Sequence, residues 1–172
     1  MFDKEYSFRG SHAERVIKLT AKFDDKNQIF NRNLDVYIMA PVVGFLYQRK
    51  ADLNTGETTK IFTQQLTAAQ DDLLFNYRLI MLLDKNNESN MDERINKAFR
   101  YYGSDKAKAD EELYEQYVRG GVDLLYEKLI EPSKSLEDYL MNLYDFMEEM
   151  EERYNQEIST DRIKELCALA KK

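Results

Sequence analysis

The chain has 172 residues with 33% charged side chains but only six Gly and two Pro, a length for one domain with a real core and a composition that disfavours many short strands and favours long helices. One Cys rules out an internal disulfide framework, and one His argues against a His-rich metal centre. No apolar run approaches the roughly 20 residues of a membrane span, and Met1 to Arg9 lacks the apolar stretch of a signal peptide, so a cytoplasmic location is expected.

The net charge of -7 is unevenly placed. Residues 1–60 carry 10 Lys and Arg against 8 Asp and Glu, whereas residues 61–172 carry 15 against 24. An acidic body opposes sequence-independent binding to a phosphate backbone and leaves room only for a local contact at the basic end.

The first element is expected to run from Ser11, an acceptable N-cap, to about Phe23. Val16, Leu19, Thr20 and Phe23 share one face. Arg15, Lys18 and Lys22 gather within about 60° on the opposite side, and Asp24 to Asn27 read as a turn. Asn33 should cap the next segment, with Asp35 in its first turn. From Val36 to Tyr47 there is no charge, which requires burial all round. Pro41 should kink a helix there, and Gly44 should admit a close neighbour. The β-branched content makes a strand over 34–40 a competitor. A helix is favoured because no partner strands are evident.

Residues 51–60 read as a polar loop with Gly56 at a turn. A helix resumes between Ile61 and Thr67, with Thr67 and Gln70 as a capping box, and continues through a nearly all-apolar stretch to Leu83. Asn90 caps a shorter helix that reaches about Tyr102 and stops at Gly103. Acidic, Tyr-rich helices follow. One spans about Lys106 to Arg119, Gly120-Gly121 marks a break or kink, and Val122 to Ile130 continues before Pro132. From Ser135, the residues Leu136, Tyr139, Leu143, Phe146 and Met150 recur with the 3-4 spacing of a helix seam, and a last helix is expected over Asp161 to Ala170 with Ile163, Leu166 and Cys167 on one face.

Chemistry fails on inventory. A di-iron bundle needs paired Glu-x-x-His motifs, zinc needs Cys and His partners, and only His12 is present, one residue past a helix cap, where a local polar contact is expected. Cys167 has no activating His, and no glycine-rich phosphate cradle occurs. The run Glu148-Glu149-Met150-Glu151-Glu152 spreads around an exposed helix, and Asp71-Asp72 suits the dipole of a helix start. No catalytic residue, metal, cofactor or small-molecule substrate is expected. An enzyme working with carboxylates alone is the remainder.

Residues 12–50 carry a resemblance. His-Ala-Glu-Arg-Val-Ile-Lys-Leu-Thr, a short turn, and Ile-Phe-Asn-Arg-Asn-Leu-Asp-Val-Tyr-Ile-Met-Ala-Pro-Val-Val-Gly-Phe-Leu resemble the start of DndE, the small helical accessory proteins of bacterial DNA phosphorothioation systems. The resemblance implies a role beside DNA-modification or phage-defence proteins, and a helical oligomer with a basic DNA-contacting surface. This chain is longer and acidic.

The expectation is an all-α fold, one domain of six or seven helices over residues 1–172, with 34–47 and 67–83 at its centre. The expected function is that of a non-catalytic accessory or adaptor protein of a bacterial DNA-modification or phage-defence complex, binding protein and, where DNA is bound, using Arg9, Arg15, Lys18, Lys22, Lys26 and Arg32. The alternative is a stand-alone oligomeric scaffold whose acidic C-terminal helices bind a basic protein without nucleic acid. In either case the Leu136, Tyr139, Leu143, Phe146 and Met150 seam is the candidate for self-association or docking.

Overall fold

A computed structural model describes residues 1–157. The helix expected over Asp161–Ala170, with Ile163, Leu166 and Cys167, lies outside the described residues. Seven helices and one two-stranded sheet are described: β1 (Tyr6–Arg9), α1 (Ser11–Leu19), α2 (Asn33–Leu46), β2 (Thr58–Ile61), α3 (Thr63–Ala68), α4 (Gln70–Leu83), α5 (Met91–Ile95), α6 (Lys108–Leu129) and α7 (Leu136–Glu157). A π turn over Asn96–Arg100 extends α5, and a short 3-10 turn precedes α6.

The fold is therefore mostly helical but not all-α. β1 and β2 pair antiparallel, with Tyr6 opposite Ile61 and Arg9 opposite Thr58, so part of the expected polar loop is strand. The physical reason is period-two alternation: Phe8 and Ile61 are fully buried while Arg9 and Thr58 face outward. Asn33 sits one residue inside α2 rather than at its cap. Its side-chain amide donates to Thr59 Oγ1 at 2.9 Å and so ties α2 to β2.

The centre of the molecule is the crossing of α2 and α6. Residues 34–40 are helix, and α2 runs unbroken with Pro41 inside it. α6 also runs unbroken for 22 residues, so Gly120-Gly121 does not break it. These glycines are packing residues. A Cβ on Gly121 would meet the Ala40 carbonyl, and one on Gly44 would meet the Tyr117 carbonyl. The two backbones thus touch where side chains are absent. Leu34, Val36, Tyr37 and Val43 of α2 join Tyr114, Tyr117, Val118, Val122 and Leu125 of α6 in the core.

α4 is less central than its composition suggests. Leu73, Tyr77, Ile80 and Met81 are buried, but Phe75 is 64% exposed and Leu83 51%. α3 and α4 are separate helices that meet at Ala69. The Gln65 side-chain oxygen Oε1 accepts from the Phe62 N–H at 3.1 Å, so the first of them starts here and Thr67 with Gln70 forms no box. Asn90 does cap α5, its side-chain oxygen accepting from the N–H groups of Asp92 at 2.9 Å and Glu93 at 3.2 Å.

Candidate functional site

α1 is shorter than expected, ending at Leu19 where the Thr20 hydroxyl donates to the Val16 carbonyl at 2.9 Å. Its polar side meets α6. His12 is buried with Nε2 3.2 Å from Asp123 Oδ1, and the Arg15 guanidinium is ion-paired to the same carboxylate oxygen. His12 thus has a tertiary partner rather than a local one. Burial alone would raise the Asp123 carboxyl. The hydrogen bond and charge of His12, followed by those of Arg15, outweigh it and hold the group below the usual carboxylate range. One turn further on, the Lys18 ammonium lies 3.4 Å from the Tyr126 hydroxyl and 5.3 Å from the ring centre.

The other expected cations are dispersed. Lys22 and Lys26 lie beyond the end of α1, in a turn held by Asp24, whose carboxylate accepts from the Lys26 and Asn27 N–H groups at 2.6 Å. The hydrogen bond from the Asn27 side chain, then those from the two backbone N–H groups, hold the Asp24 carboxyl low. Arg32 is paired with Asp35 at 2.7 Å, and Arg9 is exposed on β1. Arg15 and Arg32 are thus engaged by carboxylates of this chain, Lys18 lies on a tyrosine ring, and Arg9, Lys22 and Lys26 stand at opposite ends of α1.

α7 carries two apolar stripes. The seam residues face the body: Tyr139 stacks on Phe23 with ring centres 5.0 Å apart, Phe146 is buried and stacks on Tyr47, and Leu143 and Met150 pack against the core. Lys128 anchors the helix from α6, its ammonium 2.7 Å from Glu149 Oε2, and this hydrogen bond lowers the Glu149 carboxyl. Leu136, at the edge of the seam, is exposed. It continues into a second stripe of Leu140, Met141, Tyr144 and Met147, all more than half exposed. Exposed Glu137, Glu148 and Glu151 rim this outer stripe, and the Tyr144 hydroxyl donates to Glu148 Oε1 at 2.7 Å. The surface that α7 offers is therefore the stripe next to the seam rather than the seam.

Two features were not picked out from the sequence. Glu115 of α6 is sunk among aromatic rings, where Tyr37 donates to Oε1 at 2.7 Å while Oε2 is buried without a partner. Burial pushes its carboxyl up to about 7, against the hydrogen bonds of Tyr37 and Tyr6 and the charge of Arg119. Its signal was weak: a lone Glu among tyrosines at i−1 and i+2 on an otherwise acidic helix. The other feature is the outer side of α4, whose signal was an apolar stretch too continuous for one buried face.

Among the described residues no helix is long and apolar enough to cross a membrane, and no group of three or more His, Cys, Asp or Glu side chains is placed to hold a metal ion. No protein-family model, curated protein or solved structure matches the chain.

Proposed function

We propose that this protein is a non-catalytic interaction module, an accessory or adaptor subunit that docks a basic, amphipathic partner helix on the outer face of α7. The observation that carries this reading is the double stripe of α7: its seam is spent on the protein's own core, yet Leu136, Leu140, Met141, Tyr144 and Met147 remain in water. Burying one large apolar side chain contributes about 1.5–3 kcal/mol, so five of them make a strong driving surface. The helix carries eight carboxylates and one arginine, and its acidic rim selects a partner with Lys or Arg beside its apolar face. The resemblance of residues 12–50 to DndE-type proteins supplies the setting, a bacterial DNA-modification or phage-defence complex in the cytoplasm. DNA has no necessary part in the reading, because Arg15 and Arg32 already have carboxylate partners.

The test is direct binding of a synthetic Leu/Lys amphipathic helix, with a Leu/Glu helix of the same pattern as control, followed by fluorescence anisotropy. The Leu/Lys peptide is expected to bind, to weaken with added salt, and to be lost in Leu140→Glu/Met147→Glu. Equal binding of both peptides, or binding untouched by the double variant, overturns the reading. Low-salt titration with duplex DNA tests the nucleic-acid alternative. Binding that is abolished by Lys18→Glu/Lys22→Glu/Lys26→Glu would favour it.

A further inference from the structure

The outer side of α4 is a second apolar surface, built differently from that of α7. Asp71, Phe75 and Arg78 lie along one line of the helix, Leu74 and Leu79 flank it, and Phe99 from the π turn stands at its edge; together they line a groove of about 390 Å³. The Arg78 guanidinium lies 5.3 Å from the centre of the Phe99 ring, and its Nε is buried without a hydrogen-bond partner. Asp71 is exposed, and neither Asp71 nor Arg78 has an ionic partner among the described residues. A guanidinium half sunk in an apolar groove with one N–H unpaired and no counter-charge is costly, and a carboxylate arriving with the groove's cover would relieve it.

The spacing specifies that cover. Asp71 and Arg78 are two turns apart on one face, and Leu74 and Phe75 lie midway between them. This arrangement is its own complement under a two-fold axis. A second α4 laid antiparallel across Leu74 and Phe75 puts each Arg78 against the partner's Asp71 and packs the four central apolar side chains together. We propose that a second copy of this chain docks on α4 in this way, exchanging two Asp71–Arg78 ion pairs around a Leu74–Phe75 centre. The contact uses the same patch on both copies and therefore closes at a dimer. A single helix crossing buries less than a standard stable interface, so the dimer is weak and concentration-dependent, with the ion pairs fixing its direction and register. The proposal goes beyond the α7 reading and does not depend on it.

Sedimentation of the full chain at low salt, across a wide concentration series, tests it. The wild type is expected to pass from monomer to dimer. Asp71→Arg and Arg78→Asp each set like charges across the axis and should sediment as monomers at concentrations where the wild type is dimeric. An equimolar mixture of the two variants places opposite charges at both contacts and should recover the dimer, as should the double swap in one chain. Recovery in the mixture separates repulsion from misfolding. A wild type that stays monomeric throughout, single variants that dimerise like the wild type, or a mixture no more associated than its components each overturns the proposal.

Discussion

Gly121 of α6 lies directly on the main chain of α2 at Ala40, so close that a Cβ on Gly121 would strike the Ala40 carbonyl oxygen. The obstacle is backbone, which cannot swing aside as a side-chain tip would. Gly121→Ala should therefore destabilise the protein by about 1–3 kcal/mol or more, even though alanine is the better helix former by about 1 kcal/mol. Gly103 is the control. It has φ +79° with nothing near its missing Cβ, so Gly103→Ala should cost only the left-handed backbone penalty of about 1–2 kcal/mol. Urea denaturation of both variants decides the order.

Asp123 holds two partners from α1, the Arg15 guanidinium and the His12 imidazole, and its removal should be costly in a recognisable way. Asp123→Asn leaves Arg15 and the buried His12 without their carboxylate, at an expected cost of about 3 kcal/mol. The carboxyl is held low in the folded protein, so its contribution is present above the unfolded value of 3.8 and disappears as pH falls through the folded pKa. The variant should accordingly lose less stability than the wild type on acidification below about pH 4. Arg15→Glu should also destabilise, because it sets a second carboxylate beside Asp123. Thermal melts from pH 3 to 7 report both effects.

Glu115 gives the opposite pH dependence. Its carboxyl is raised from an ordinary 4.5 to about 7, so between these values the folded protein holds a proton that the unfolded chain has released. Stability from this group falls as pH rises through that window, by up to about 3 kcal/mol. Glu115→Gln keeps an oxygen to accept from Tyr37 and removes the charge. Its melting temperature should match the wild type near pH 4.5 and exceed it at pH 8. A variant that gains nothing at pH 8 would show that Glu115 titrates as an ordinary carboxyl.

The helix around residues 34–47 was legible because an uncharged run of that length needs burial all round, whereas α6 was legible only as two pieces on either side of Gly120-Gly121. What escaped was direction. Gly120-Gly121 carries the same letters whether it breaks a helix or lets one helix lie against another, and only the Ala40 main chain opposite distinguishes the two. The strands escaped because four residues such as Tyr-Ser-Phe-Arg show one alternation, too little for a period to register. The expected basic stripe of α1 does not survive, because the helix ends at Leu19 and leaves Lys22 beyond it, and a sequence does not show Asp123 waiting across the fold for Arg15. At α7 the spacing Leu136, Tyr139, Leu143, Phe146, Met150 and the spacing Leu136, Leu140, Tyr144, Met147 are both helical, so periodicity alone cannot say which stripe the body takes.

Phe146 and Met147 are adjacent in the chain and should have separable effects. Phe146 is 6% exposed and stacked on Tyr47, whereas Met147 is 62% exposed on the outer stripe. Phe146→Ala should lower stability by about 3 kcal/mol through the cavity it leaves. Met147→Ala should change stability by less than about 0.5 kcal/mol, since it removes only solvent-exposed surface. Binding of a Leu/Lys helix should sort the pair the other way, with Met147→Ala weakening it and Phe146→Ala leaving it nearly intact wherever the variant is still folded. Denaturation and anisotropy on the same two preparations make the comparison. Met147→Ala that destabilises as much as Phe146→Ala would place both stripes in the core and leave α7 without a surface to offer.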